Sequence, residues 1–238
     1  MLDRNVTIHR APASGAIEIA GLGFVADASG ALFLESDRLL IVADLHFEKG
    51  SAFAERRVFL PPYDTAATLA RIARLALRYS PRAIVALGDS FHDTRAGQRI
   101  HEGDVSSIEA LQRGREWIWV AGNHDPELPA QVGGERRDIY QHGPLTFRHE
   151  PLAGEALGEI AGHLHPAARI RSQSGSTRRR CFVTDGSRCV MPAFGAFTGG
   201  LNFRDEAFGK LFGEREIVVH ALGRDRVYAV SAASCLAD

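Results

Sequence analysis

Residues 117–126 of the chain read WIWVAGNHDP. Residues 117–120 form an apolar run typical of a buried strand, and the run stops at Gly122. An amide, an imidazole and a carboxylate follow at once, and a proline closes the turn. Open α/β sheets bind their ligands at the carboxyl ends of strands, so this pattern indicates a ligand site.

Two further apolar runs, residues 39–43 and 83–87, end in the same way, at an aspartate or a Gly-Asp pair. Helical periodicity over residues 63–79 and 103–112 separates these runs from each other and from the strand over 116–120. Strands and helices therefore alternate with short links, which predicts a parallel sheet covered by helices.

The helix over residues 63–79 is predicted to begin with Asp64 as its N-cap. Apolar side chains share one face of this helix at helical spacing: Leu69, Ile72, Ala73, Ala76 and Leu77. Its arginines Arg71, Arg74 and Arg78 fall on the opposite face, which we interpret as solvated.

The sequence pattern changes after Asp138, from alternating strands and helices to short strand-like runs. We predict strands over residues 145–149, 159–161, 168–171, 181–184, 188–191, 217–221 and 226–230. The polar link over residues 172–177 is typical of a hairpin tip. The second half is therefore expected to form a largely antiparallel sheet.

Length and composition suit one globular domain. The chain has 238 residues, of which 45% are hydrophobic and 24% are charged. Its net charge of −1 does not show the excess of basic residues that is typical of nucleic-acid-binding proteins. We expect a single domain over 1–238, with 1–30 as an N-terminal segment that carries one short outer strand. Neither a membrane span nor a signal peptide is evident, so we expect a cytoplasmic protein. The three cysteines form no CxxC pair and are interpreted as reduced structural thiols.

The predicted strand ends collect residue types that bind metals. The candidates are Asp44, His46, Asp89, Asn123, His124, Asp125, His149, His163 and His165. In extended backbone, side chains two apart fall on one side, so Asp44 with His46 could present two ligands to one place. The same spacing holds for the two histidines of GHLH, residues 162–165.

The set contains imidazole, carboxylate and amide but no thiolate, which suits manganese, iron, zinc or nickel. It holds more donors than one tetrahedral ion takes, so two ions sharing a carboxylate fit better. Glycines before Asp89, Asn123 and His163 would let the backbone approach closely. An isolated histidine is usually a satisfied polar residue, and His9, His142 and His220 are interpreted in that way.

The motifs DxH, GD, GNHD, H and GHxH, in this order, resemble those of the calcineurin-like metallophosphoesterases over about residues 31–230. The resemblance implies an α/β fold, namely a four-layer αββα sandwich of two mixed sheets flanked by helices. It also implies two divalent metal ions. Asp44, His46 and His165 resemble the ligands of one ion, and Asn123, His149 and His163 those of the other. Asp89 resembles the bridging carboxylate.

The same resemblance gives His124 and Asp125 roles beside the metals. His124 resembles the histidine that contacts the phosphate, and Asp125 would hold its imidazole tautomer. Many members of the family carry an acidic residue three positions after the bridging aspartate. This chain carries His92 there, which would either support the ligands or contact the substrate.

Four longer motifs narrow the resemblance: DLHFEKG (44–50), LPPYD (60–64), GDSFHD (88–93) and MPAFGAFTGGLN (191–202). Together they are similar to the bacterial ligase-associated DNA-damage-response endonucleases. This implies a hydrolase of phosphoric esters, specifically a manganese-dependent phosphodiesterase that cleaves DNA in repair. Its expected substrate is single-stranded, with a functional link to a DNA ligase and a helicase. Zinc or iron(II) are alternative ions, and a hydroxide bridging the two metals would attack phosphorus.

Two other functions remain open from the sequence. One is a phosphoesterase acting on small nucleotides, phosphomonoesters or phosphoproteins, and the other is a non-catalytic scaffold on the same fold. A DNA substrate requires phosphate contacts beyond the metals. The candidates are Lys49, Arg56, Arg57, His92, Arg148, Arg178, Arg179 and Arg180. The arginine triplet would equally suit an edge strand that discourages sheet pairing.

Overall fold

The computed structural model describes residues 15–172 and 175–238. The strands of the first half are β1 (Ala16–Ile19), β2 (Leu22–Ala26), β3 (Leu32–Leu34), β4 (Leu39–Ala43), β5 (Ala83–Leu87), β6 (Glu116–Val120) and β7 (Glu135–Arg137). The later strands are β8 (Tyr140–His142), β9 (Leu145–Arg148), β10 (Glu159–Ala161), β11 (Pro166–Ser172), β12 (Gly175–Thr184), β13 (Cys189–Val190), β14 (Leu201–Asn202), β15 (Val218–Leu222), β16 (Val227–Ser231) and β17 (Cys235–Leu236). The helices are α1 (Lys49–Glu55), α2 (Asp64–Tyr79), α3 (Ala96–Arg99), α4 (Glu102–Gln112) and α5 (Glu206–Phe212), and a 3-10 helix spans Ala232–Ser234.

The first sheet runs in the order β1-β2-β3-β4-β5-β6-β7. Strands β4, β5 and β6 are parallel, as predicted, and β7, which was not predicted, runs parallel beside β6. Strands β1 to β4 pair antiparallel. Every residue of β4 and β5 is buried, because both faces of these strands are covered, and this explains their unbroken apolar runs. The N-terminal segment contributes two strands, β1 and β2, where one was expected, and the predicted bounds of β4, β5 and β6 are confirmed.

Helices α2 and α4 cover the outer face of this sheet. Leu69, Ile72 and Ala76 pack there against β4, β5 and β6, as predicted for that face of α2. Leu77 was wrongly placed on it and is 83% exposed, because the buried stripe runs instead through Leu75. Asp64 is also not the N-cap: it is the first helical residue, and its carboxylate accepts a hydrogen bond from the backbone N–H of Gly50.

On the arginine face of α2, Arg74 and Arg78 are exposed, as predicted, whereas Arg71 is partly buried. The Arg71 guanidinium lies 4.8 Å from the ring centroid of Phe194 and donates to the carbonyl oxygen of that residue. Arg78 pairs with Asp27 at 3.1 Å. These partners lie far along the chain, so the periodicity of the helix could not reveal them.

The second sheet runs in the order β14-β11-β12-β13-β10-β9-β8, with β15 and β16 added beside β12 and β17 beside β11. Most of its pairs are antiparallel, as predicted, and the hairpin of β11 and β12 is confirmed. Residues 173 and 174 at its tip lie outside the described residues. Strands β9, β10 and β13 run parallel, as do β11 and β14, so the sheet is mixed.

The two sheets face each other across a shared apolar core. Ile41, Val85, Phe147 and Phe182 belong to this core and come from both sheets. Helix α5 covers the outer face of the second sheet, where Phe208 packs against the buried strands. The chain therefore has the predicted α/β architecture of two mixed sheets with flanking helices.

The three cysteines lie in the interior of the protein. Cys181, Cys189 and Cys235 are all free and buried, as expected for structural thiols. Within the described ranges, we find no helix with the length and apolarity needed to cross a membrane.

Candidate metal centre

The centre forms where strand ends of the two sheets meet. Strands β4, β5 and β6 are parallel neighbours, so the residues that follow them, Asp44, Asp89 and Asn123, leave the sheet at the same edge. The second sheet contributes the loops after β9 and β10. The backbone N–H of His163 donates to both carboxylate oxygens of Asp44 at 3.1 Å, which joins the two sheets at this edge.

The first group of donors is Asp44, His46 and His165, whose ligand atoms all lie within 4.8 Å of one another. The Nε2 of His165 is 3.3 Å from Asp44 Oδ1 and 3.4 Å from the Nε2 of His46. Asp44 is fully buried and His46 is 5% exposed. Buried imidazoles that face one another with a carboxylate make a suitable donor set for a divalent cation.

The second group is Asp89, His149 and His163, and Asn123 lies beside it. Three acceptor-capable atoms surround the Nε2 of His149: Asn123 Oδ1 at 2.9 Å, His163 Nδ1 at 3.1 Å and Asp89 Oδ1 at 3.3 Å. One imidazole N–H cannot satisfy three acceptors. A divalent cation would satisfy the whole set, so these residues fit a metal site.

Asp89 stands between the two groups. Its Oδ1 faces His149 of the second group, and its Oδ2 lies 4.0 Å from the Nε2 of His46 in the first. The backbone N–H of His46 donates to the main-chain carbonyl of Asp89 at 2.9 Å, which fixes the spacing of the two loops. A carboxylate placed in this way can offer one oxygen to each of two ions.

The backbone at the ligands differs from the sequence-based expectation. Asp44 and His46 were expected to share a side because of extended backbone, but their φ angles are 52° and 46°. Asp89, His163 and His165 also have positive φ, at 44°, 68° and 46°. This left-handed region is unfavourable for residues with a Cβ, and strain of this kind concentrates at functional sites. Asp44 and His46 therefore do converge on one place, as predicted. Tight turns bring them together, not extended backbone.

The two histidines of the GHLH motif do not serve one place. His163 joins the group of Asp89 and His149, whereas His165 joins that of Asp44 and His46. The residue-based expectation of a shared location was therefore wrong: both residues have positive φ, so the side-chain alternation of an extended strand does not apply to them. The division between two ions implied by the family resemblance agrees with this arrangement.

Glycines permit the close approach that the motifs predicted. A Cβ on Gly122 would lie 2.1 Å from the backbone nitrogen of Asp89, and one on Gly88 would lie 2.4 Å from the ring of His149. Any side chain at either position would push a ligand away. The glycines before Asp89 and Asn123 are therefore required by packing as well as by the turn.

His124 and His92 form one edge of the centre. Their rings stack with centroids 5.5 Å apart, and with His46 they make a third cluster of imidazoles. The Nδ1 of His124 is 2.7 Å from the carbonyl oxygen of His92, and its Nε2 is 3.9 Å from Asp89 Oδ2. The His124 ring is 41% exposed, so it faces solvent where a substrate would arrive.

Asp125 does not hold the His124 ring, and that prediction was wrong. Its two carboxylate oxygens accept hydrogen bonds from the backbone N–H groups of Phe91 at 3.0 Å and Gly122 at 3.1 Å. It is 2% exposed, and burial raises its pKa to about 7. Asp125 therefore ties the loop after β6 to the loop after β5, while the His92 carbonyl orients His124.

The electrostatics of the centre favour the anionic form of Asp89 and the neutral imidazoles of His46 and His92. Burial would raise the pKa of Asp89, but its contacts with His149 and His124 lower it overall. Burial would lower the pKa of His149, but the carboxylates of Asp89 and Asp44 raise it to about 9. Burial lowers the pKa of His46, and burial with the nearby Lys49 lowers that of His92 to about 4.

The other residues predicted to bind substrate lie in different surroundings. Lys49 stands 5.8 Å above the ring of Phe53, beside His92. Arg148 lines a cavity of about 530 Å³ together with His163, and its Nε is 3.4 Å from the buried Glu159.

His142 pairs with Asp37 at 2.8 Å, as suits a satisfied surface histidine. His220 is buried in β15, and His9 lies outside the described residues.

The arginine triplet of β12 is divided among different partners. Arg178 contacts Asp238 and donates to the carbonyl of Gly200 at 2.6 Å. Arg180 donates to the carbonyl of Ala193 at 2.6 Å, and Arg179 is exposed. Their predicted role in substrate binding stays a prediction.

Sequence reasoning missed the support that residues 193–201 give to the ligand loops. The backbone N–H groups of Phe194 and Gly195 donate to the carbonyls of Ala43 and Asp44, and that of Leu201 donates to His165. Arg71 and Arg180 hold this segment from outside through the carbonyls of Phe194 and Ala193. The glycine-rich motif of residues 191–202 was the available signal, since close backbone contact requires small residues.

Comparison with known proteins agrees with this geometry. The family model described as calcineurin-like phosphoesterase matches residues 37–185, so the chain belongs to that family. The nuclease MPE of Pseudomonas putida is a similar solved structure, with a TM-score of 0.69 and 26% identity over 92% of this chain and 100% of that one. The phosphoesterase Yfce from E. coli shares 13% identity over 81% of this chain and 98% of its own, with a TM-score of 0.42.

No curated protein sequence matches the chain. Family membership and the similarity to a nuclease nevertheless identify it as a hydrolase that acts on phosphoric esters. The resemblance to calcineurin-like metallophosphoesterases is therefore confirmed, and a nuclease neighbour is consistent with the endonuclease clade.

Proposed function

We propose that this chain is a manganese-dependent phosphodiesterase that cleaves single-stranded DNA as an endonuclease in DNA repair. The observation that carries the proposal is the position of Asp89 between two donor groups, with the exposed ring of His124 beside it. The similarity to a nuclease of Pseudomonas putida supports nucleic acid as the substrate class. The predicted link to a DNA ligase and a helicase belongs to the same proposal.

We assign the metal ligands from the two groups. Asp44, His46 and His165 hold one ion, Asn123, His149 and His163 hold the other, and Asp89 contacts both. When bound, two divalent ions lower the pKa of a water and offset charge on the phosphoryl oxygens. Manganese suits the mixed oxygen and nitrogen donors, and zinc and iron(II) are the alternatives.

His124 acts on the phosphate from beside the metal ligands, since its Nε2 lies 3.9 Å from Asp89 Oδ2. Its Nδ1 donates to the carbonyl of His92, so its Nε2 is the atom available to the substrate. A protonated Nε2 donates a hydrogen bond to a phosphoryl oxygen, which offsets the charge that develops there. The same proton can pass to the leaving oxygen of the DNA strand. His92 supports this role by stacking on His124.

A second candidate is a phosphoesterase of small nucleotides. The cavity beside His163 favours it, because about 530 Å³ is enough to enclose a nucleotide. Arg148 and Lys210 line this cavity and would contact phosphate. The two candidates share the metal centre and differ in what lies around it.

One screen distinguishes the candidates. Purified protein would be tested with manganese, zinc, iron(II) and magnesium on single-stranded DNA, duplex DNA, bis(4-nitrophenyl) phosphate and 4-nitrophenyl phosphate. We expect the fastest turnover with manganese, and internal cleavage of single-stranded DNA. Cleavage of the nitrophenyl esters without any cleavage of DNA would reject the endonuclease in favour of the small-molecule enzyme. No turnover on any of the substrates would leave only a non-catalytic scaffold.

A further inference from the structure

Two aromatic rings face solvent on the short segment that follows α1, the helix whose Phe53 lies beside His92. Phe59 is 84% exposed and Tyr63 is 70% exposed, which is unusual for large rings. Phe53, on α1, is partly buried. We call Phe53, Phe59 and Tyr63 the aromatic rim. Exposed rings in such a group indicate a surface that contacts another molecule.

The aromatic rim is joined to the reacting side of the centre through His92. The ring centroid of Phe53 is 5.6 Å from that of His92, whose ring stacks in turn on His124. The backbone N–H of Val58 donates to the carbonyl of Phe53 at 3.0 Å, which fixes the segment that carries Phe59 against α1. A substrate strand bound at His124 therefore has Phe53 within reach, and the segment held against α1 carries Phe59 and Tyr63.

The charges around the rim suit a polyanion. Lys49 lies 5.8 Å from the ring centroid of Phe53, and Arg56, the C-cap of α1, is exposed. Arg57 follows in the chain and is exposed. Glu55, the acidic residue of α1, is already engaged by Arg95 and Arg99. In the described part of the chain, no carboxylate lies within 4.0 Å of the Arg56 or Arg57 side-chain nitrogens.

We propose that the aromatic rim stacks the bases of a single-stranded nucleic acid next to the cleaved phosphate, while Lys49, Arg56 and Arg57 contact neighbouring phosphates. Aromatic rings with interleaved cations are the recurring solution for single strands, because every unpaired base offers a face. A duplex keeps its base faces covered. The rim therefore favours single strands over duplexes, and this inference rests on the proposed function.

The test compares three alanine variants that remove exposed side chains. Phe59→Ala and Tyr63→Ala alter the rim, and Leu77→Ala is the matched control, because Leu77 is 83% exposed on α2. None of the three removes a buried contact, so circular dichroism should show all of them folded. The substrates are a single-stranded oligodeoxynucleotide, the same strand with abasic sites, and bis(4-nitrophenyl) phosphate.

We expect Phe59→Ala to raise KM for the intact oligonucleotide about tenfold, with a similar effect of Tyr63→Ala. Turnover of the nitrophenyl diester should stay unchanged, because it is too small to reach the rim. The abasic strand should already have a raised KM with the wild-type protein, and the variants should not raise it further. An unchanged KM for the intact strand in both rim variants would overturn the proposal. The exposed rings would then be explained as a contact surface for a protein partner.

A binding measurement separates failure of this inference from failure of the proposed function. Fluorescence anisotropy of a labelled oligodeoxynucleotide, recorded in EDTA, reports binding without cleavage. If the wild-type protein cleaves no DNA, the proposed function fails, yet about tenfold weaker binding by Phe59→Ala would still support the rim. Equal binding by the wild-type protein, Phe59→Ala and Leu77→Ala would reject the rim whether or not DNA is cleaved.

Discussion

The Nδ1 of His124 lies 2.7 Å from the main-chain carbonyl oxygen of His92. A carbonyl oxygen only accepts, so the proton of this hydrogen bond belongs to His124 Nδ1. The other ring nitrogen, Nε2, is therefore the one that faces Asp89 and the space in front of the metal ligands. Under the proposed function, His124 would therefore act on the substrate through Nε2 and would not be a metal ligand.

His124→Ala should retain both metal ions and lose turnover by about 10²–10⁴-fold. The loss should be larger on DNA than on bis(4-nitrophenyl) phosphate, because a DNA strand is a poor leaving group and needs the proton. Metal analysis and steady-state kinetics on both substrates would measure this, with His142→Ala as control. Equal losses on the two substrates would mean that His124 stabilises charge without donating a proton, and loss of metal would make it a ligand.

Asp89→Ala and His163→Ala should nearly abolish hydrolysis of any phosphodiester. Each change removes a donor that the second group needs, and Asp89 also faces His46 of the first group. We expect fewer bound ions per chain in both variants by metal analysis, and two per chain in the wild-type protein and in His142→Ala. Near-normal rates at saturating manganese in either variant would contradict the assignment of two ions.

Manganese should activate the enzyme best, and added zinc should inhibit the manganese-loaded protein. Zinc binds nitrogen and oxygen donors more tightly than manganese, but tighter binding does not give faster turnover. Rates of oligonucleotide cleavage after extraction with EDTA and reloading with each ion would test this. Turnover supported by zinc but not by manganese would show the prediction to be wrong.

The left-handed backbone at His46 gives a stability prediction. With φ at 46°, this position should favour glycine over alanine by about 1 kcal/mol, because a Cβ is unfavourable there. His149 has a negative φ, so His149→Ala should be more stable than His149→Gly by about 0.5–1 kcal/mol. Urea unfolding in EDTA of His46→Gly, His46→Ala, His149→Gly and His149→Ala would measure both differences. The same sign at both positions would refute backbone strain as the cause.

Asp27 should make stability depend on pH far from the metal centre. Burial would raise its pKa, but hydrogen bonds from Ser29 and Tyr79 and the charge of Arg78 lower it overall. A carboxyl whose pKa is lowered in the folded state stabilises above its unfolded pKa of 3.8, and this contribution is lost as pH falls through the folded value.

We therefore expect Asp27→Ala to lower the free energy of unfolding by about 1.5–3 kcal/mol at pH 7, since it removes hydrogen bonds to a charged group. The difference from the wild-type protein should shrink as pH falls from 5 towards 3, as measured by urea unfolding. Asp225→Ala, which removes an exposed carboxylate, is the control for loss of charge alone. A difference that stays constant over this pH range would rule out ionised Asp27 as the source.

The sequence predicted the parts of this protein that depend on local pattern. Strands β4, β5 and β6 were predicted with their observed bounds, because a strand buried on both faces must be apolar throughout. The polar residues that end these strands identified Asp44, Asp89 and Asn123 as neighbours, since parallel strands place their carboxyl ends at one edge. The donor types alone already indicated a metal centre without thiolates.

The sequence did not predict how side chains outside regular elements are directed. Periodicity holds only for helices and extended strands, whereas His163 and His165 have left-handed backbone and belong to different donor groups. The helical periodicity of the sequence likewise placed Leu77 on the buried face of α2. The position of the sheet leaves Leu77 exposed.

Contacts between distant parts of the chain determine which groups orient His124 and which groups Asp125 binds. The carbonyl of His92 reaches His124 across 32 residues of chain, while Asp125, the sequence neighbour, bonds to Phe91 and Gly122 instead. The closeness of Phe53 to His92 likewise depends on how α1 packs beside the loop after β5. The chain's local preferences specify strands, helices and donor types, whereas the partners of a loop residue follow from where folding brings distant backbone together.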